Sequence, residues 1–382
     1  MARPDKPVSL ALNKKEETMP NDKMDKNVYI LGAGFSKEIG LPLQDDFLLL
    51  AKEVYFRHPQ KYQHFNAVFD YQDKLSKMRQ FLSYPLLNLE HLFNIMEMDI
   101  FYSKNQETVR IKNDFVNLIK DVLMELTPSP FYHDDGGSLR TLKLYENYLL
   151  FLKLLIQNDE FQVVPHNDTI ITFNYDLVVE SAAALYNHER YQRRKEYRHE
   201  RGEYLRLNTM FGKENLICED ICNFFYKNGA RTFCDNVTIF SQEDRAIKLL
   251  KLHGSINWKT TRDNETFIVP PTWNKSDPEV RKLWDIAYQE LITAKRIVVI
   301  GYSFPETDIY VKSLLALALN ENRILQGIYF VNPDKERAQN TCLALLDSHF
   351  QKYCSYKPLK FSELVKSDEG KKFISENLGR SI

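Results

Sequence analysis

One short motif near the start of the chain combines glycines with a hydroxyl. It comprises Gly32, Ala33, Gly34 and Ser36, in which the glycines can let the backbone approach a pyrophosphate at the start of a helix. Lys37 stands where the dehydrogenase fingerprint has its last glycine, and this disfavours hydride transfer. A tight turn without a ligand explains the same residues equally well.

Two further motifs carry side chains suited to acid–base chemistry. Asn174 and Asp176 are one residue apart, so an amide and a carboxylate can meet one ligand from the same loop. Asp176 alone is better explained as the cap of the following helix, whereas Asn174 has no obvious structural role. His253 ends an apolar run and precedes a glycine. Its imidazole can act as a general base near neutral pH, although a lone buried histidine is more often structural.

The remaining motifs offer a glycine, a hydroxyl and an amide. Gly301 and Ser303 follow the most strongly apolar run of the chain, and Thr307 or Asp308 can cap the next helix. Asn332 precedes a proline, so its amide can bind a ribose or simply turn the chain. Each motif carries little weight alone, and its position in the fold decides its meaning.

The apolar runs before these motifs predict buried strands. The runs cover residues 28–31, 169–172, 247–252, 296–300 and 327–331, and helical patterns separate several of them. Buried strands that alternate with helices indicate an α/β, doubly wound, Rossmann-like fold with a mostly parallel sheet. Ligands of such sheets bind at the carboxyl ends of the strands, so we expect the motifs to converge on one edge.

Composition and periodicity divide the chain into parts around this sheet. The predicted parts are a flexible tail (1–27), a sheet domain (28–44 plus 161–350), a large helical insertion (45–160), a small inserted module (187–236) and a C-terminal extension (351–382). Four or five helices are expected in the insertion, because positions such as Leu89, Leu92, Phe93 and Met96 repeat with helical spacing.

Overall composition limits the class of protein. Of 382 residues, 43% are hydrophobic and 27% are charged, which is typical of a globular protein and excludes a disordered, collagen-like or disulfide-scaffold chain. The net charge of −1 provides no global attraction to nucleic acid or to a membrane. No apolar run approaches the roughly 20 residues of a membrane span. Five cysteines without a CxxC pair fit a reducing compartment, so we expect a cytoplasmic protein.

Taken in order, the motifs resemble those of the sirtuin family. That family carries GAGxSxxxGxP, TxNxD, HG, GxS and VN motifs on an NAD-binding sheet, and residues 32–42, 172–176, 253–254, 301–303 and 331–332 match them. The variants NYD, LHGS and GYSxxxTD, with a helical insertion after the first motif, resemble the sirtuin-like domains of bacterial anti-phage systems. The resemblance implies an NAD glycohydrolase of the bacterial cytoplasm that cleaves NAD, its substrate, to nicotinamide and ADP-ribose.

The resemblance also implies a role for each motif. Asn174 would position the attacking water or the ribose hydroxyls, His253 would act as a base or polarise those hydroxyls, and Asp176 would contact the nicotinamide carboxamide. The remaining residues would bind the pyrophosphate (Gly32, Ala33, Gly34 and Ser36) and the adenosine (Gly301, Ser303 and Asn332).

Two departures separate the chain from the deacylases of that family. Residues 43–45 are Leu-Gln-Asp, where the deacylases continue with Asp-Phe-Arg. Cys218, Cys222 and Cys234 lack the paired spacing of a four-cysteine zinc module, so no metal is expected. NAD cleavage is therefore favoured over deacylation. A protein deacylase and a non-catalytic module that binds NAD, ADP-ribose or nucleic acid remain the alternatives.

Partners are expected because unrestrained NAD hydrolysis would harm its host. The resemblance implies assembly with further copies of the chain or control by a HerA-type hexameric ATPase. The helical insertion is one contact surface for them, although packing on its own domain explains its faces equally well. Segment 189–206 mixes basic residues and tyrosines with four glutamates. It favours a solvated helix, and direct nucleic-acid binding stays open.

Overall fold

A seven-stranded sheet forms the centre of the protein. The computed structural model describes residues 25–77, 89–133, 135, 139–158, 163–197, 205–209, 216–219, 246–269, 278–305 and 308–380. Strands in this part of the chain are β1 (Asn27–Leu31), β2 (Phe131–His133), β3 (Leu139–Thr141), β4 (Ile156–Asn158), β5 (Val163–Pro165), β6 (Thr169–Thr172), β7 (Leu207–Asn208), β8 (Leu216–Cys218), β9 (Ile247–Lys251), β10 (Gly254–Thr260), β11 (Thr266–Ile268), β12 (Arg296–Ile300), β13 (Gly327–Val331) and β14 (Cys354–Lys357).

Helices flank the sheet and form a separate layer after the first motif. They are α1 (Ala33–Ser36), α2 (Phe47–Arg57), α3 (Phe65–Ser76), α4 (Leu89–Ser103), α5 (Gln106–Leu126), α6 (Glu146–Leu154), α7 (Val178–Tyr197), α8 (Pro278–Ile292), α9 (Ile309–Glu321), α10 (Lys335–Leu345), α11 (Ser348–Gln351), α12 (Phe361–Lys366) and α13 (Asp368–Phe373). A π-helical turn, Ile374–Leu378, follows the last of them.

The central strand of the sheet is the first one in sequence. The strand order is β14-β13-β12-β1-β6-β9-β7, and every neighbouring pair is parallel. Leu31 at the end of β1 lies in register with Thr172 of β6 and Ile300 of β12. The predicted doubly wound α/β fold is therefore confirmed, and the strand ends meet at one edge as expected.

Both faces of the sheet are buried, as parallel strands require. Tyr29 and Leu31 of β1 belong to the core that the helices of the first half cover. Val28 and Ile30 face the opposite core, which also includes residues of α8 and α9. Because each β1 side chain is at most 1% exposed, this strand has an apolar run without alternation and is easily recognised in sequence.

The helical layer has the apolar spacing that the sequence predicts. Leu92, Phe93 and Met96 of α4 are fully buried, and the Phe93 ring stacks on Phe115 of α5 at 4.3 Å. The described part of residues 45–160 contains the five helices α2 to α6. Two short antiparallel pairs, β2–β3 and β4–β5, were not predicted, because three-residue strands leave almost no period-two signal.

The C-terminal residues complete the sheet, although the sequence predicts no strand after residue 350. β14 is an edge strand paired with β13, and all four of its residues are only half-buried. An edge strand of this length has neither the apolar run nor the length that would reveal it. After β14, the Phe361 ring packs against the Phe35 ring, with 4.5 Å between centroids. The segment that follows β14 therefore contacts the first motif.

Residues 25–27, which the sequence assigns to the flexible tail, are part of the structure. Asn27 starts β1 and its N–H donates to Asp168 at 2.8 Å. Arg380 near the C-terminus forms an ion pair with the same Asp168 carboxylate at 3.0 Å, and both side chains are almost fully buried. Breaking such a buried pair typically costs about 3–5 kcal/mol, so this contact holds Arg380 and the start of β1 together at Asp168.

Several predicted features fall wholly or partly outside the described residues. They include Cys222, Cys234 and residues 198–204 of segment 189–206. Within the described ranges, no group of three or more His, Cys, Asp or Glu side chains is arranged to hold a metal ion. None of the helices in these ranges is both long and apolar enough to cross a bilayer.

We predict that protonation of His166 destabilises the fold below neutral pH. Burial and the nearby Arg380 guanidinium lower the pKa of His166 to about 4, from an ordinary value of 6.5. Because the folded state favours the neutral imidazole, this stabilisation is present above about pH 6.5 and is lost as the pH falls towards 4. His166→Gln should reduce the loss of unfolding free energy across this interval, measured by urea denaturation, by on the order of 1 kcal/mol after discounting for solvent screening.

The control is His58→Gln, because the His58 side chain is 54% exposed. Its unfolding free energy should follow the wild-type pH dependence. An unchanged pH dependence in His166→Gln would contradict the prediction.

Candidate functional site

A cavity of about 820 Å³ lies at the carboxyl edge of the sheet. Its walls include the chain directly after β1, β6, β9, β12 and β13. Small-molecule and cofactor sites typically have volumes of roughly 300–1,000 Å³. All ten residues selected from sequence line this cavity, namely Gly32, Ala33, Gly34, Ser36, Asn174, Asp176, His253, Gly301, Ser303 and Asn332.

The glycines of the first and fourth motifs allow two loops to touch. The Gly34 N–H donates to the Gly301 carbonyl at 2.9 Å, and the Gly32 N–H donates to the Ile300 carbonyl at 3.0 Å. A Cβ atom on Gly301 would lie 2.5 Å from the Gly34 carbonyl carbon, and φ of Gly301 is +63°. Close packing between these two backbones therefore requires the glycines, before any ligand is considered.

The helix after the first motif differs from the expected one. α1 has only four residues and continues into a single 3₁₀ turn, Lys37–Ile39. A helix of one turn aligns too few peptide dipoles to attract an anion strongly. The expected helix N-terminus is therefore corrected to a short turn, whose dipole contributes little to binding a phosphate.

Asn174 joins a third loop to the first motif. Its side-chain amide donates to the Gly32 carbonyl at 2.9 Å and to the Ser36 hydroxyl at 3.1 Å, and its own N–H donates to Thr172 Oγ1 at 3.1 Å. These contacts orient the side chain through its nitrogen. In the described part of the chain, the Asn174 Oδ1 atom accepts no hydrogen bond, so it remains available as an acceptor at the cavity wall.

Asp176 is buried behind Asn174 and has structural partners. Its Oδ1 atom accepts from the Val178 N–H at 3.1 Å at the start of α7, which is the contact that the capping interpretation requires. Burial raises the pKa of Asp176, whereas Lys251, the Val178 N–H and the Ser36 hydroxyl oppose the increase. Asn174, Ser36 and Asp176 thus form one hydrogen-bonded series along the cavity wall.

Lys251 neutralises the acidic groups behind the cavity. Its ammonium is 2.8 Å from the Glu180 carboxylate and also donates to the Asp176 carbonyl oxygen. Lys251 and Glu180 are almost completely buried. A buried ion pair of this kind holds the start of α7 against the end of β9, so the positions of Asn174 and His253 depend on each other.

His253 lies in an aromatic pocket at the end of β9. Its imidazole is 5.2 Å from the Phe173 ring, 6.2 Å from the Tyr175 ring and 6.4 Å from the Trp284 ring, measured between centroids. The glycine that follows, Gly254, has φ of +78°, and a Cβ there would lie 2.5 Å from the Phe267 carbonyl oxygen. The His-Gly pair is therefore explained by a sharp bend that directs β10 away from the sheet.

Asp308 also lines the cavity, whereas the sequence offered it, or Thr307, only as the cap of the next helix. Its side chain makes no capping hydrogen bond to α9. Instead, one carboxylate oxygen accepts from the Tyr302 hydroxyl and lies 4.0 Å from His253 Nε2. Burial and the Asp308 carboxylate raise the pKa of Tyr302 well above its ordinary value, so this phenol remains protonated and donates.

Glu90 and Gln44 from the first half of the chain also line the cavity. The Gln44 side-chain amide donates to the Glu90 carboxylate, which is almost completely buried. Neither residue was selected from sequence. The available signal was a glutamate next to Leu89 and three residues before Phe93, where the helical period predicts apolar surroundings.

Asn332 and Ser303 occupy the far side of the cavity. The Asn332 Oδ1 atom accepts from the Asp334 N–H at 3.0 Å, which is the turn that the structural interpretation of this residue requires. The Asn332 N–H donates to the Lys357 carbonyl at 3.1 Å and thereby connects the motif to β14. Ser303 lies between Tyr302 and Phe304. The φ angle of Phe304 is +49°, which few residues other than glycine adopt, so the backbone of this loop is tightly constrained.

One region of the chain matches a known protein family. The family described as the SIR2-like domain matches residues 168–353. This part of the chain is similar to the SIR2-like domain. The match contains four of the five motifs of the sirtuin resemblance and leaves the first, at residues 32–42, outside it. A search of curated proteins finds no match.

Solved structures of Sir2 proteins are also similar to the chain, at low identity. A Sir2 enzyme studied for mechanism and regulation shares 13% identity over 93% of this chain and 95% of its own, with a TM-score of 0.35. A Sir2 complex with a p53 peptide and NAD⁺ shares 13% over 94% and 95%, with a TM-score of 0.34. A complex of a Sir2 homologue with NAD shares 14% over 93% and 91%, with a TM-score of 0.34.

We predict that Gly301→Ala destabilises the protein strongly. The added Cβ would clash with the Gly34 carbonyl carbon and would impose a left-handed backbone on an alanine. Chemical denaturation should show a loss of unfolding free energy of roughly 2–4 kcal/mol.

Gly40→Ala is the matched control for the backbone conformation. Gly40 has φ of +98°, but a Cβ there would meet no atom within 4 Å. We expect it to lose only about 1–2 kcal/mol, which is the cost of the left-handed conformation alone. Equal losses in the two variants would show that the contact between the loops does not require glycine.

Proposed function

We propose that the protein is an NAD glycohydrolase. The observation that carries this proposal is the convergence of Asn174, His253 and the glycine loops on one cavity at the carboxyl edge of a parallel sheet. The match of residues 168–353 to the SIR2-like domain supports it, because it covers both Asn174 and His253. The volume of the cavity suits a ligand the size of a dinucleotide.

The proposed reaction consumes one water and releases one proton. The bond between C1′ of the ribose and the nicotinamide nitrogen breaks, and its electron pair stays on the nicotinamide, which leaves uncharged. Water bonds to C1′ and loses a proton, so the products are nicotinamide and ADP-ribose. Positive charge develops on the ribose in the transition state, and a site that lowers the barrier must stabilise this charge and position the water.

The contacts of Asn174 and His253 suit these two tasks. Asn174 is held through its nitrogen, so its Oδ1 atom can accept a hydrogen bond from a water or a ribose hydroxyl in a fixed direction. His253 can take a proton from the same groups. Asp176 is engaged with Ser36 and Val178, so its contribution is to hold the Asn174 loop in addition to any contact with the carboxamide.

The loops of the first and fourth motifs suit the dinucleotide backbone. Five small residues of these loops line the cavity with little side-chain bulk, namely Gly32, Ala33, Gly34, Gly301 and Ser303. Lys37 and Lys360 line the same cavity and are exposed, so their ammonium groups can reach a pyrophosphate at its entrance. The Asn332 amide nitrogen lies on the side proposed for adenosine.

The helical layer contributes apolar residues to the cavity. Leu89 and Phe93 of α4 and Ile119 and Leu123 of α5 form part of the cavity wall. These apolar side chains add a hydrophobic wall beside the polar groups at the strand ends. A cavity with such a wall suits a small bound substrate.

We further propose that the enzyme is an NAD-depleting effector of bacterial anti-phage defence and acts in the cytoplasm. This role is supported by the motif variants NYD, LHGS and GYSxxxTD, which resemble those of defence proteins. In that setting the chain assembles with further copies of itself and is controlled by a partner, for which a HerA-type ATPase is the first candidate.

The test is to incubate the purified full chain with NAD and to quantify nicotinamide and ADP-ribose by chromatography. We expect both products in equal amounts from the wild type, and a loss of about 100-fold in Asn174→Ala and in His253→Ala, because each removes a group that acts on the reacting atoms. The matched controls are Asn66→Ala and His58→Ala, since both residues are exposed and lie outside the cavity.

Other outcomes would assign a different function. Release of nicotinamide only in the presence of an acylated peptide would identify a deacylase. Turnover that appears only after addition of a HerA-type ATPase would support control by that partner. Undiminished hydrolysis in Asn174→Ala would contradict the role of this side chain.

A further inference from the structure

The Asp308 carboxylate lies beside the His253 imidazole in a place that bulk water barely reaches. Its Oδ2 atom is 4.0 Å from His253 Nε2, and the two side chains are 2% and 4% exposed. A protonated imidazole in such a place loses most of its hydration, which disfavours the charged form. A carboxylate at this distance compensates for that loss, because opposite charges attract strongly where water is excluded.

Three aromatic rings also surround the His253 imidazole. The rings of Phe173, Tyr175 and Trp284 lie 5.2 to 6.4 Å from the imidazole, centroid to centroid. Aromatic rings restrict the orientation of an imidazole but replace little of the hydration of its charge. These rings therefore do not take over the compensation that a nearby carboxylate provides.

Tyr302 fixes the Asp308 carboxylate in turn. Its hydroxyl donates to the same Oδ2 atom that faces His253. The Tyr302 ring stacks on Phe173 at 4.6 Å with an interplanar angle of 25°, so the phenol has little freedom to turn away. The helix start does not explain this arrangement, because the Asp308 side chain makes no capping hydrogen bond. His253, Asp308 and Tyr302 form a connected series.

The titratable groups around His253 and Asp308 come from three elements. Tyr175 lies in the loop after β6, Tyr302 follows β12, and Glu90 belongs to α4. The Glu90 charge acts on both tyrosines and, with their burial, raises the pKa of each. Trp284 of α8 faces the imidazole without a charge. Asp308 and Glu90 are thus the two carboxyl groups of this set.

We propose that Asp308 is a positioning residue that fixes the orientation and the charge of His253, with the Tyr302 hydroxyl as the third member of the series. The arrangement matches the general pattern in which a base is oriented by a second group. The kinetic consequence rests on the proposed NAD hydrolysis. The contact between Asp308 and His253 is independent of any substrate and can be tested separately.

The first test follows the His253 imidazole by NMR in the full chain, with histidines labelled and His253→Ala used for assignment. In Asp308→Asn, the Tyr302 hydroxyl keeps an acceptor but the negative charge is lost. The midpoint of the His253 titration should move to lower pH by about 1 unit or more, since a carboxylate within about 4–6 Å favours the charged imidazole. Asp285→Asn, which removes an exposed carboxylate of α8, should leave the midpoint unchanged.

The second test measures kcat and KM for NAD as a function of pH. Asp308→Asn should lower kcat by about 10- to 100-fold, change KM by less than threefold and shift the limb of the pH profile that belongs to His253. Tyr302→Phe keeps the ring stacked on Phe173 and removes only the hydroxyl. This variant should shift the same limb of the pH profile in the same direction by a smaller amount. It replaces Asp308→Asn as the test if that variant fails to fold.

The two tests separate this proposal from the proposed function. A His253 titration that Asp308→Asn and Tyr302→Phe both leave unchanged would overturn the positioning role, whatever the enzyme does. If the variants shift the His253 titration but the wild-type protein does not cleave NAD, the contact is supported and the proposed hydrolase is rejected. A loss confined to KM would also overturn the proposal, because a positioning residue of the base acts on the chemical step.

Discussion

The close contact between the backbones after β1 and β12 is the constraint on which the site depends. The Gly34 N–H donates to the Gly301 carbonyl, and no side chain fits between the two loops. Asn174 then joins from a third loop through the Gly32 carbonyl. The base of the cavity is therefore set by main-chain geometry, and its side chains occupy positions that follow from the parallel register of β1 with its neighbours.

The sequence reveals the centre of this fold more readily than its edges. β1 and β12 are recognisable because they are buried on both faces and consist almost entirely of apolar residues. The residues that follow them are found as a consequence, since the ends of parallel strands meet at one edge. β14 is missed because an edge strand of four half-buried residues has no such signature. Burial, and not importance for the site, decides what a single sequence can predict.

The residues that were missed at the site share another property, which is that their partners are distant in sequence. An aspartate at the start of a helix is ordinarily a cap, and only the fold shows that Asp308 instead faces Tyr302 and His253. Glu90 belongs to a helix whose other positions explain its packing fully. Periodicity describes one element at a time, so it cannot show that a polar group on one helix completes a cavity formed by another element.

Three buried carboxylates line the cavity, and their partners assign them different tasks. Asp176 is held by Ser36 and Val178 near the buried Lys251, so its charge is largely balanced within the scaffold. Asp308 and Glu90 lie instead on the side of His253 and Tyr302, where they provide negative potential. Under the proposed reaction positive charge develops on the ribose, and fixed negative groups that need no reorganisation stabilise such charge effectively. Under that proposal, the carboxylates on the side of His253 would act on the ribose, whereas Asp176 would act on the scaffold.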